Sequence, residues 1–164
     1  MVSLNSRIDS RRSTMTPKNQ SHTSRRIETK ATIADLTEPR LIEAVNPIAA
    51  RFLYSLRLIA IHHKASRDPV PELASRLSSF QVAAKALALG QTVSIVWPEY
   101  IHVSRFCCCQ MTHDEVTIAA MIESACERDR SAFERLGEGF IRPDRMERLW
   151  DGILALVEAE LTAC

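Results

Sequence analysis

At 164 residues, 46% of them hydrophobic, the chain is long enough to bury one core and too short for two comfortable domains. Its net charge of +1 conceals an asymmetry: residues 1–30 hold seven Lys or Arg against Asp9 and Glu28, a net of +5, which leaves −4 for residues 31–164. A mildly acidic body with few aromatic residues lacks the field and the stacking platform of a nucleic-acid binder, so no nucleic-acid partner is expected.

The longest apolar run, Ile48 to Ile61, is interrupted by Arg51 and Arg57, so no membrane span is expected. Five cysteines, three of them adjacent, make a poor disulfide framework and point to a reducing cytoplasm.

Residues 1–33 read as a disordered, basic, Ser/Thr/Arg-rich arm: 17 of the first 30 are Ser, Thr, Lys or Arg, with few apolar anchors. Such an arm suits an acidic partner, an organelle address or a plain tail, and Met15 is an alternative start to Met1. Arg11-Arg12 is followed by polar Ser13 to Pro17, where an export signal needs an apolar stretch.

The remainder, 34–164, is expected to be one helical domain. Thr37 is placed to cap a short turn, with Pro39 inside it. Asn46-Pro47 is a stronger start, and Ile48, Phe52, Leu56 and Ile59 then recur on one helical face. His62, His63 and Lys64 fall in the last turn, where cations suit the carbonyl end. The two imidazoles point about 100° apart on a helix and make a poor chelate.

Asp68-Pro69-Val70-Pro71 separates that helix from the next. Leu73, Leu77, Phe80, Ala84 and Leu87 predict one continuous helix, with Gly90 as its stop. From Gly90 to Met111 the period changes to two: Val93, Ile95 and Trp97, then Ile101, Val103 and Arg105, with a turn at Pro98-Glu99-Tyr100. An insert over 91–111, either extended chain or a short β-hairpin, is the expectation. Thr112-His113-Asp114-Glu115 is a capping box opening a helix to about Cys126. A short helix from Ala132 to Leu136, closed by Gly137, and a long one follow; Met146, Leu149, Trp150, Ile153, Leu156, Val157 and Leu161 form the core stripe of the long one. The fold class is mostly α, a single bundle-like domain of about four main helices with one or two minor ones and the extended insert.

Conventional enzyme motifs are missing. Four glycines leave no phosphate-cradling loop, and neither His-Glu-x-x-His nor Gly-x-Ser-x-Gly occurs. Only Arg105 to Glu115, with Cys107-Cys108-Cys109 inside it, stands out. In extended chain Cys107 and Cys109 share a face and Cys108 opposes them. With His113, and with His102 and Met111 nearby, the pair forms a candidate zinc or copper(I) site; no other cofactor is expected. Cys109, just ahead of a helix N-terminus, is the candidate redox thiol, with Cys108 as a resolving neighbour and Arg105 assisting. The bland alternative is that three small apolar residues fill a junction.

The run Cys107 to Cys109 followed by Gln110-Met111-Thr112-His113-Asp114-Glu115 resembles a segment of an uncharacterised family of small helical alphaproteobacterial proteins. That family, a domain of unknown function, pairs a cysteine triplet with Met-Thr-x-Asp-Glu ahead of a helix. The likeness extends over roughly Asn46 to Leu161. It implies a bacterial cytosolic protein and carries over no catalytic role. The leading expectation is therefore a non-enzymatic interaction or regulatory module with a protein partner or a second copy of itself. The alternative is a metal-binding or thiol-redox-responsive protein acting through Cys107–Cys109.

Overall fold

The computed structural model describes residues 40–163. The expected N-terminal arm, both candidate starts and the Thr37 turn lie outside them. Among the described residues a 3₁₀ turn, Ile42–Ala44, precedes six helices: α1 Pro47–Lys64, α2 Val70–Leu77, α3 Phe80–Val96, α4 His113–Cys126, α5 Arg130–Gly137 and α6 Pro143–Ala163. The all-α class is as expected, and none of these helices is long and apolar enough to cross a membrane.

Two helix starts follow the sequence signals, and a third falls on a proline. The Asn46 side chain accepts a hydrogen bond from the Ile48 amide, with Pro47 at the first position of α1. Thr112 and Glu115 form both halves of the capping box at α4. Pro143 opens α6.

The span from Leu73 to Trp97 departs from expectation twice. Ser78 takes a left-handed conformation at φ 55° and Ser79 caps a new helix by accepting from the Val82 amide. The expected single helix is thus two, because adjacent serines supply both a stop and a start. Gly90, in turn, does not end α3. It lies buried where α1 crosses, and a Cβ there would stand 3.1 Å from the Ile59 methyl.

Helix therefore continues to Val96, and the expected β-hairpin is absent. Val93 and Val96, three apart and buried, extend the face begun by Ala86 and Leu89. Burial along that face outweighs the strand preference of the β-branched residues. Thr92 and Ser94 hydroxyls donate to the Ala88 and Gly90 carbonyls, satisfying themselves within the helix. Trp97 caps the end and Pro98 prevents continuation.

Two antiparallel packings make the frame. Along α3 and α6, Gly152 lies against Leu89, and the Arg145 guanidinium reaches the Ile95 carbonyl. Along α1 and α4, Arg57 meets Glu115, and the Asn46 amide donates to Glu123 at 2.8 Å. Helix α5 covers one end, its fully buried Phe133 set edge-on to Trp150 at 4.9 Å. On α6, Met146, Leu149, Ile153, Leu156 and Val157 are buried as the stripe predicts. Trp150 is half-buried, and Leu161 is 65% exposed because the stripe outruns its neighbours at the helix end.

Candidate functional site

Between Trp97 and Thr112 the chain crosses back over the bundle with no regular ladder, so its backbone polar groups need other partners. Side chains supply them. Asp114 accepts from the Trp97 indole at 3.3 Å and from the His102 amide at 2.8 Å. Glu115 accepts from the Ser104 amide at 3.2 Å and, completing the capping box, from the Thr112 amide at 2.9 Å. Both acids sit in the first turn of α4, where the helix end favours negative charge.

The centre of the arrangement is Arg57. Its Nε and Nη2 donate to the two Glu115 oxygens at 2.6 and 2.9 Å, and neither side chain has any solvent exposure. The remaining donors point into the cysteine loop: Nη1 to the Cys108 carbonyl at 2.6 Å and the Arg105 carbonyl at 3.4 Å, Nη2 to the Gln110 carbonyl at 3.1 Å. Burial works against the charge of the guanidinium, yet the hydrogen bond and charge of Glu115 outweigh it. The pKa therefore stands above its ordinary value. Tyr54 adds its ring face at 5.7 Å.

These bonds set the shape of the triplet. The Cys108 amide donates to the Arg105 carbonyl at 2.9 Å, closing a tight turn over Arg105–Cys108. Beyond it, the Cys109 carbonyl accepts from the Ile42 amide and the Met111 amide donates to Arg40, both at 2.9 Å. Leu41 and Gln110 form an isolated antiparallel bridge. The end of the expected extended insert thus pairs briefly, at Gln110, with the approach to α1.

Cys107 and Cys109 are exposed and Cys108 is half-buried, all three as free thiols. The two outer cysteines are therefore not core filler. Around Cys107, Cys109 and His113, as elsewhere among the described residues, no three His, Cys, Asp or Glu side chains come together as a ligand set. The redox candidates, Cys109 and Cys108, are adjacent but differ in access, since Cys108 alone is partly covered. The fourth described cysteine, Cys126, is half-buried, and burial, with Glu123 and Glu127 beside it, pushes its thiol pKa up.

Phe106 ties the loop to a groove between α1 and α2. Its ring lies edge-on to Tyr54 at 5.9 Å and under the Arg76 guanidinium at 4.9 Å. With Leu58 and Arg76 it borders two adjoining clefts. One, of ≈ 370 Å³, runs toward Arg51 and Leu73; the other, of ≈ 270 Å³, runs toward His62 and Glu72. Sequence reasoning placed His62 correctly at the end of α1 and missed its bond to Glu72 at 2.9 Å.

Arg57 was the larger omission. Reading it as an interruption of an apolar run hid a usable signal: Arg57 stands four residues after Leu53, on the same helical face, and an arginine facing the core needs an acid beside it. Glu115, three before Ile118 and seven before Ile122, lies on the core face of α4 and supplies it. No family model matches this chain, nor does any curated protein or solved structure.

Proposed function

We propose that the chain is a non-enzymatic interaction or regulatory module of the reducing cytoplasm whose working surface is the Arg105–Cys109 loop. One observation carries the reading. Two thiols stand exposed on a loop whose carbonyls are held by a wholly buried guanidinium. A frame of that kind fixes a loop in one shape, and preorganised loops lose little entropy on binding. Phe106, half-buried beside the thiols, supplies apolar area next to Tyr54 and Arg76, and such aromatic and arginine side chains dominate interface energetics. The likeness of Cys107 to Glu115 to the uncharacterised alphaproteobacterial family is offered in the same spirit, on that segment.

The test is comparative cross-linking in the native host. Wild type is set against the loop variant Phe106→Ala/Cys107→Ser/Cys109→Ser and against a surface control, Leu161→Ser, on the far end of α6. The reading expects a discrete association that the loop variant loses and the control keeps. Identical cross-linking by all three proteins, with unchanged helical circular dichroism, would contradict it.

A further inference from the structure

We propose that Cys107 and Cys109 form a dithiol modification site that hydroperoxides convert into a disulfide within the loop, an inference that rests on the loop being the module's working surface. The three thiols are not equivalent. The backbone of Cys108 is pinned on both sides, its amide to the Arg105 carbonyl at 2.9 Å and its carbonyl to Arg57 at 2.6 Å, and its side chain is half-covered. Its two neighbours are exposed, so a soluble oxidant reaches them first.

Reach permits the bridge. Two residues of chain span at most roughly 7 Å, and a disulfide accepts a Cα separation of about 4.4–6.8 Å. A small contraction is enough. Cys107 and Cys108, directly adjacent, would need a strained ring, and Cys126 belongs to α4 outside the loop.

The chemistry balances with the oxidant named. The Cys107 thiolate attacks the outer oxygen of a hydroperoxide, the O–O bond breaks, and an alcohol or water leaves with sulfenic acid on Cys107. The Cys109 thiolate then attacks that sulfur, the S–O bond breaks and water leaves. Two thiols and one hydroperoxide give one disulfide, one alcohol (water, for hydrogen peroxide) and one further water; the two electrons pass from sulfur to the peroxide bond. A dithiol reductant reverses the step by exchange. Closing the ring draws on the segment that carries the Cys108 carbonyl, so oxidation reports directly to Arg57.

The experiment treats the reduced full chain, in a Cys164→Ser background, with hydrogen peroxide and maps the cysteines by differential alkylation and mass spectrometry. The expected product has Cys107 joined to Cys109, with Cys108 and Cys126 alkylated. Cys109→Ser abolishes the bridge and leaves Cys107 sulfenic acid, trapped by a cyclic 1,3-dione, whereas Cys108→Ser keeps the bridge. A bridge through Cys108 or Cys126, a dimer linked between chains, or a dithiol that survives peroxide able to oxidise free dithiothreitol would each overturn the proposal. If the bridge forms yet leaves the cross-linked association unchanged, the working-surface reading fails. If no bridge forms while loop variants still lose that association, only the present inference falls.

Discussion

Arg57 and Glu115, 58 residues apart in sequence, meet through two hydrogen bonds of 2.6 and 2.9 Å with both side chains wholly withdrawn from solvent. The pair is more than an ion pair. Arg57 spends its other donors on the carbonyls of Arg105, Cys108 and Gln110, and Glu115 accepts from the Ser104 and Thr112 amides. Breaking a buried pair by removing one partner typically costs about 3–5 kcal/mol, and Arg57→Met is expected to fall in that range by chemical denaturation. A simple ion pair can be replaced by two apolar residues without loss. Here Arg57→Met/Glu115→Leu is expected to stay destabilised, because each orphaned buried backbone group costs about 1–3 kcal/mol. Recovery of wild-type stability by the double variant would show that the loop does not depend on the clamp.

The aromatic pair at the other end makes an ordered prediction. Phe133 is fully buried and Trp150 half-buried, with Arg130 lying over both rings at 5.8 and 5.0 Å. Phe133→Ala should cost about 3–5 kcal/mol, the usual loss for a buried aromatic. Trp150→Ala should cost less, since part of its surface is already wet. Urea titrations of the two variants check the order, and a larger loss for Trp150 would contradict the placement of α5.

Gly90 tests the continuity of α3. A leucine there must displace Ile59, which already stands 3.1 Å from the position of a Cβ, and overpacking of this kind costs about 1–3 kcal/mol. Were Gly90 an exposed left-handed stop, Gly90→Asn would be milder than Gly90→Ala; inside the packed helix the order reverses, because Asn sets a polar group against Ile59. A melting curve distinguishes the two.

Glu72 predicts a pH dependence. Hydrogen bonds from His62 and then from Arg76 hold its carboxyl below the usual glutamate range. A depressed acid contributes stability above its unfolded pKa and loses it as pH falls through the folded one. The stability gap between wild type and Glu72→Gln should therefore be present near neutrality and vanish in strong acid. Because the group is open to solvent, the gap is expected to be small and to shrink with salt. A gap that grows on acidification would reverse the sign and contradict the pairing.

What was legible in the sequence was whatever a local rule decides. Asn46-Pro47 and Thr112 to Glu115 satisfy donors within a few residues of themselves, so their meaning survives folding. The stretch Val93 to Trp97 alternates like a strand, but its fate was decided by partners elsewhere in the chain, with Leu89 and Val93 both buried at 1% exposure. Ser78-Ser79 carried its signal openly, and the apolar spacing across it masked the break. For the site, the location was legible and the geometry was not. Cysteine adjacency marks the loop, yet its turn is set by Arg57, about fifty residues earlier, through bonds that no local pattern encodes.

The central claim, that a buried clamp presents two of three neighbouring thiols, is tested most directly by residue-resolved alkylation of the native, reduced protein. Iodoacetamide labelling with peptide mapping should find Cys107 and Cys109 modified rapidly, Cys108 more slowly and Cys126 more slowly still. In Arg57→Met, where the Cys108 carbonyl is released, the rate at Cys108 should rise toward those of its neighbours. Equal rates at all three loop thiols in the wild-type protein, or a Cys108 rate indifferent to Arg57, would contradict the account.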